Sequence, residues 1–163
     1  MAARDDIGSR GEAIFFVRIT DFCGRKRPLF RPRFLGEKAQ ALDYLVELLG
    51  AGERTPFFFA QVKTTRKGTT SRGRPPRLKV GVSRRDVARL ALYPAPTYLV
   101  GIDERRELGY IWAVLGSMRD AIPSLPTNFP LDCANLRLLW EEVRQFWQGR
   151  DMDMRRSAFV VER

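Results

Sequence analysis

Gln61-Val62-Lys63 lies inside Pro56 to Thr65, a run rich in Phe and Val that reads as a strand. Residues two apart on a strand share a face and sit about 7 Å apart. Gln61 and Lys63 therefore present an oxygen-bearing amide and an ammonium side by side. Q-x-K is common by chance, and the pattern takes its weight from Asp43, eighteen residues upstream of Gln61. Asp43 stands in an otherwise apolar segment, where an unpaired charge is costly. If 42–48 is a strand paired with 56–65, Asp43 approaches Gln61 and Lys63 from the neighbouring strand. The chain has no histidine. That excludes Ser-His-Asp and Cys-His nucleophile pairs, His-ligated zinc and imidazole acid/base chemistry. Any chemistry must run on carboxylates, Lys, Tyr, Cys or a metal held by oxygen ligands.

The elements that position these residues follow from local pattern. Ser9-Arg10-Gly11-Glu12 has the S-x-x-E form of a capping box before the apolar run Ala13 to Phe22, predicting a first helix over 9–22. Leu29 to Leu35 reads as a strand interrupted by Pro32, hence near a sheet edge. Glu37 to Leu49 is ambiguous. Its helix formers and Gly50 as a C-cap favour a helix, while 42–48 also suits a mostly buried strand before Gly50-Ala51-Gly52. On the strand 56–65, Phe57, Phe59, Gln61, Lys63 and Thr65 share one face, and Phe58, Ala60, Val62 and Thr64 the other.

Arg66 to Arg77 reads as a mobile basic loop, and Leu78 to Val82 as a short strand. Ser83-Arg84-Arg85-Asp86 caps a helix to about Leu92 with Val87, Leu90 and Ala91 inward, ended by Pro94-Ala95-Pro96. Tyr98 to Ile102 and Leu108 to Val114 flank the turn 103–107 as a β-hairpin. A final helix starts near Asp132, with Leu136, Leu139, Trp140, Val143, Phe146 and Trp147 on one face. The last fifteen residues form a tail in which Ala158 to Val161 would add a short strand or dock on a partner.

The 163 residues suit one domain, assigned to 1–148, with a tail over 149–163. A chain of this length buries about 70% of its unfolded surface and needs no disulfide or structural metal to fold. The net charge of +10 is concentrated. Lys63, Arg66, Lys67, Arg72, Arg74, Arg77, Lys79, Arg84 and Arg85 contribute +9 with no intervening acid. A second cluster, Arg25, Lys26, Arg27, Arg31, Arg33 and Lys38, is offset only by Glu37. A localised basic surface points to an anionic partner, above all nucleic acid. Cys23 and Cys133 form no CxxC unit, so the expectation is two buried thiols in a reducing cytosol and no metal-thiolate site. The charged first ten residues give no signal-peptide pattern, and no apolar stretch is long enough to span a bilayer. The expected setting is cytoplasmic, away from membranes.

The order helix with Glu12, strand, strand with Asp43, strand with Gln61-Val62-Lys63, helix, strand resembles the PD-(D/E)XK nuclease superfamily. More narrowly, Phe34-Leu35-Gly36-Glu37-Lys38, Asp43-Tyr44-Leu45-Val46-Glu47-Leu48, Gln61-Val62-Lys63-Thr64-Thr65 and Tyr98-Leu99-Val100-Gly101-Ile102-Asp103 resemble the bacterial family catalogued as domain of unknown function 4365. The resemblance spans about 8–115. It implies an α/β fold with an αβββαβ core, a mixed sheet flanked by helices and, here, an added C-terminal helix at about 132–148. It also implies that 42–48 is a strand.

For the site, the resemblance implies that Asp43 and Gln61 ligate Mg²⁺ or Mn²⁺, with the Val62 carbonyl as a third ligand. Lys63 would orient or activate the attacking water and stabilise phosphorane charge, and Glu12 would contact a water on the ion. Mg²⁺ takes hard oxygen ligands and keeps several waters, which a site without histidine can satisfy. Gln61 stands where the commonest superfamily pattern has Asp or Glu, removing one negative charge.

Arg66, Lys67, Arg72, Arg74, Arg77 and Lys79 would track a DNA or RNA backbone through phosphate contacts. Each residue also has a plainer role. Glu12 serves a capping box, Asp43 pairs with a nearby cation, Gln61 satisfies a strand edge and Lys63 opens a basic groove. Glu37 reads as a surface residue, and Glu47 lies about 13 Å from Asp43, too far to share its metal.

The resulting expectation is a metal-dependent nuclease-like domain acting on phosphodiesters. Its alternative is a nuclease-fold module that binds or scaffolds nucleic acid without cleaving it. An adaptor, or a homo-oligomer, would use the C-terminal helix or the tail.

Overall fold

The computed structural model describes residues 2–36, 41–52, 54–151 and 153–160. The element order is α1 (Ala2–Ile19), β1 (Phe30–Phe34), β2 (Tyr44–Leu48), β3 (Phe57–Thr65), β4 (Arg77–Leu78), α2 (Arg84–Ala91), β5 (Thr97–Asp103), β6 (Leu108–Ala113), β7 (Leu125–Pro126) and α3 (Cys133–Trp147). Five strands form one mixed sheet in the order β1-β2-β3-β5-β6, and β4 pairs with β7 in a small second sheet. Among the described residues, no helix is long and apolar enough to cross a membrane.

The central strand pair is parallel, β3 beside β5 with Gln61 opposite Leu99 and Lys63 opposite Gly101. The α2 crossover joins them, and β1, β2 and β6 add antiparallel neighbours. All seven residues of β5 are buried, as expected of a strand covered on both faces. On one side Phe15 and Ile19 of α1 and Leu136, Leu139 and Val143 of α3 pack with Tyr44, Val46, Phe58 and Val100. On the other, Leu78, Val80, Val87, Leu90 and Leu125 pack with Leu99. The two faces read from the alternation of 57–65 are thus divided between these two cores.

The ambiguous segment resolves as strand β2. Tyr44, Val46 and Leu48 are 5%, 0% and 3% exposed, a period of two that fits between β1 and β3. Burial between two strands outweighs the helix propensity of the stretch. Glu37 and Lys38 lie outside the described residues. Pro32 sits on β1, an edge strand, as its missing N–H requires.

The first helix departs from expectation. It begins at Ala2 rather than residue 9 and ends at Ile19 rather than 22, so Ser9 to Glu12 lie inside it and cap nothing. Asp5 in the first turn suits the positive end of the helix dipole. Gly11, Phe15 and Ile19, spaced by four, form the buried seam. Gly11 has no room for a side chain: a Cβ would stand 1.7 Å from Thr64 Oγ1. The chain then turns through left-handed conformations at Cys23 (φ 51°) and Gly24 (φ 75°).

The two cysteines also depart from expectation. Cys23 and Cys133 form a disulfide across 110 residues, with Cα atoms 5.4 Å apart. The sequence predicts separate thiols, because separation along the chain hides proximity in space. Closing a loop this long contributes about 4 to 5 kcal/mol in the chain-entropy account.

The basic segment 66–77, expected as an open loop, folds back as a hairpin. Thr70 N–H donates to the Arg77 carbonyl (2.8 Å), and Lys79 N–H to the Gly68 carbonyl (2.9 Å). Helix α2 starts as predicted, with the Ser83 side chain accepting from Asp86 N–H. The β5–β6 hairpin and α3, capped by Asp132, also match. The apolar face of α3 is used internally: Trp140 Nε1 donates to the Leu49 carbonyl (3.1 Å) and Trp147 Nε1 to the Phe57 carbonyl (2.8 Å). It is therefore not the open docking face an adaptor would need. Residues 158–160 form no strand.

Candidate functional site

The structure brings Asp43 to the point where β2 and β3 part. Tyr44 opposite Ala60 is the last rung of the ladder on this side. Beyond it, Asp43 N–H donates to the Ala60 carbonyl (3.0 Å), and the Asp43 carbonyl accepts from Leu35 N–H (2.9 Å). The backbone is thereby held from both sides. The Asp43 side chain turns to β3, where Oδ2 accepts from Val62 N–H at 2.6 Å. Oδ1 makes no hydrogen bond among the described residues. The Val62 carbonyl leaves the strand on the same edge as its N–H, because both groups of one residue point the same way.

Gln61 is next to this junction, in the middle of β3, and 4% exposed. Its Oε1 is buried and has no hydrogen-bond partner among the described residues. Such an atom bears the desolvation cost of a polar group with nothing to offset it. Lys63 follows two residues later, half-buried and opposite Gly101. Gly101 admits the β4–β7 layer, since a Cβ there would lie 2.7 Å from Leu78 and 2.9 Å from Leu125. Lys63 forms no ion pair or hydrogen bond among the described residues, yet its charge acts on Asp43.

Electrostatics tie Glu12 to the same place. Burial raises the Asp43 pKa, opposed by the Val62 hydrogen bond and the Lys63 charge. Burial also raises that of Glu12, and the Asp43 charge raises it further. Tyr44, whose hydroxyl donates to the Glu12 carbonyl at 3.3 Å, is pushed up to about 12 by burial and by both carboxylates. Glu12, Asp43 and Lys63 therefore share one electrostatic environment. Asp43 Oδ1 and Gln61 Oε1 are oxygen atoms without a hydrogen-bond partner among the described residues, and oxygen is the donor type that a hard cation takes. A cavity of about 340 Å³ between β6 and α3 contains none of these residues.

The six basic residues of the hairpin divide into two groups. Arg66 bonds Glu104 through Nε (2.8 Å) and Nη2 (3.2 Å). Arg77 donates to Ser124 Oγ (2.8 Å) and to the Ser124 carbonyl (2.6 Å). These two anchor the hairpin to the fold. Lys67, Arg72, Arg74 and Lys79 are exposed, and their side chains have no partner among the described residues.

Glu104 was missed by sequence reasoning, which took 103–107 as a polar turn. Asp103 and Glu104 are 3% and 6% exposed. Glu104 is gripped by Arg10 of α1 (2.7 Å) as well as by Arg66, and the Arg66 hydrogen bond holds its pKa below the usual carboxylate value. The available signal was its position just past the end of a fully buried strand. The clamp joins α1, the basic hairpin and the β5 terminus.

No known protein family matches the chain, and no curated protein or solved structure is significantly similar to it.

Proposed function

We propose that this chain is a metal-dependent nuclease-like domain that hydrolyses phosphodiester bonds of DNA or RNA. In this reading the αβββαβ order α1-β1-β2-β3-α2-β5 is a PD-(D/E)XK core with α3 added. The observation that carries the proposal is the buried Gln61 Oε1, without a hydrogen-bond partner among the described residues, on the strand whose Val62 N–H holds the Asp43 carboxylate. Asp43, Gln61 and the Val62 carbonyl would hold Mg²⁺ or Mn²⁺, which would supply Lewis-acid stabilisation of the phosphoryl oxygens. Lys63 orients the attacking water and offsets charge developing on phosphorus. Asp43 keeps its orientation through Val62 N–H. Lys67, Arg72, Arg74 and Lys79 hold the phosphates of a polymeric substrate without reading its sequence.

A second reading is favoured by one residue. Gln61 is neutral where a nuclease of this type usually has a carboxylate, and a weaker metal site suits a module that binds without cleaving. The test is incubation with single- and double-stranded DNA and RNA in Mg²⁺ or Mn²⁺, beside Asp43→Ala and Lys63→Ala. The proposal expects cleavage by the parent and none by either variant. Cleavage retained by both variants overturns the site, and salt-sensitive binding without cleavage selects the second reading.

A further inference from the structure

Asp21, Cys23 and Cys133 bring a carboxylate oxygen and two sulfurs within 4.8 Å of one another, the one such grouping of three acidic or thiol side chains among the described residues. We propose that, once the disulfide is reduced, these three side chains form a binding site for zinc(II). The metal then replaces the disulfide as the link between the α1–β1 turn and α3. This inference is independent of the reading of Asp43 and Gln61, which present only oxygen.

Five observations carry it. The donor set is two thiolates and a carboxylate, which selects a thiophilic ion over Mg²⁺. Tetrahedral zinc with bonds of about 2.3 Å to sulfur and about 2.0 Å to oxygen sets ligand atoms about 3.5 to 3.8 Å apart. The three atoms already lie within 4.8 Å of one another, close to that spacing once the sulfur–sulfur bond opens. The carboxylate is also pre-oriented, since Asp21 Oδ1 accepts from Cys23 N–H at 2.8 Å. Arg137 Nη2 donates to the Cys23 carbonyl at 3.0 Å, fixing the turn to α3 and placing a cation near the excess negative charge of the ligands. Finally, Cys23 is buried, Cys133 half-buried and Asp21 exposed, so the site opens on one side and leaves the fourth position to water.

The chemistry balances with a dithiol as reductant. The dithiol transfers two electrons and two protons to the Cys23–Cys133 bond and becomes a disulfide itself. The two protein thiols then release their protons as zinc binds. A reducing compartment supplies such a dithiol, and in an oxidising one the disulfide persists.

The test uses the full chain, reduced under anaerobic conditions and freed of reductant, titrated with Zn²⁺ against a chromophoric chelator and separately with Co²⁺. The expected result is equimolar uptake with a sulfur-to-cobalt charge-transfer band, both absent from the oxidised chain and from Cys133→Ser. Because Cys133→Ser also removes the cross-link, Asp21→Asn provides a variant that keeps both thiols. It is expected to form the disulfide normally yet bind zinc more than about tenfold more weakly, the least that loss of even an outer partner costs. Three results overturn the proposal: no uptake by the folded, reduced parent, uptake without the charge-transfer band, or an Asp21→Asn affinity equal to that of the parent.

Discussion

Asp43 Oδ2 and the Val62 amide are joined by a 2.6 Å hydrogen bond at the end of the β2–β3 ladder. The same carboxylate that would hold a cation thus closes the strand junction, and the two roles separate by substitution. Asp43→Ala leaves Val62 N–H without its acceptor, a loss of about 1 to 3 kcal/mol. Asp43→Asn keeps an acceptor and should recover most of that stability while removing the charge. Urea denaturation is expected to find Asp43→Asn more stable than Asp43→Ala, with both variants inactive in the Mg²⁺ cleavage assay.

Gln61 predicts the opposite trade. Its orphaned Oε1 costs the metal-free fold about 1 to 3 kcal/mol, so Gln61→Leu should raise stability without metal and abolish any stabilisation by Mg²⁺. Gln61→Glu adds a buried charge. It should lower the metal-free melting temperature and enlarge the upward shift on adding Mg²⁺. Melting curves with and without the ion, or with a chelator, read both effects.

The carboxylates divide by sign in their response to pH. Glu12 and Asp43 have raised pKa values, so the folded chain binds their protons more tightly than the unfolded chain. Their favourable contribution is present below their ordinary values and is lost as pH rises through the folded values. Glu104 is lowered, so its contribution is present above its ordinary value and lost as pH falls through the folded one. Glu12→Gln should therefore stabilise at neutral pH and match the parent below about pH 4. Glu104→Gln should destabilise at neutral pH, with the deficit shrinking on acidification. Thermal midpoints between about pH 3 and about pH 8 distinguish the two.

The basic hairpin separates contact residues from anchors. Arg72→Ala and Arg74→Ala should leave folding unchanged and weaken nucleic-acid binding on every sequence, each lowering the slope of log affinity against log salt by about 1. Arg66→Ala should instead lower the melting temperature, because it removes one of the two cations gripping Glu104. Equal salt slopes for the parent and Arg72→Ala would remove Arg72 from the contact surface.

Much of this was determined by sequence alone. The alternation of 57–65 divides the two cores, Ser83 and Asp132 cap their helices, and the stripe from Leu136 to Trp147 packs inward. The concentration of positive charge from Lys63 to Arg85 is equally local information. These features depend on neighbours one to eleven residues apart, within reach of strand and helix periodicity. Tertiary structure decided the rest. Tyr44–Leu48 is a strand because two others flank it, despite the helix formers around it. Helix α1 extends to Ala2 because nothing local ends it at the apparent capping box, and Gly11 fits where Thr64 of β3 leaves no room. Glu104 is a clamp because Arg10 and Arg66 converge on it from distant parts of the chain. Cys23 meets Cys133 across 110 residues. Most of these outcomes rest on burial, charge pairing or a covalent link between segments far apart in sequence, an energy that local propensity does not contain.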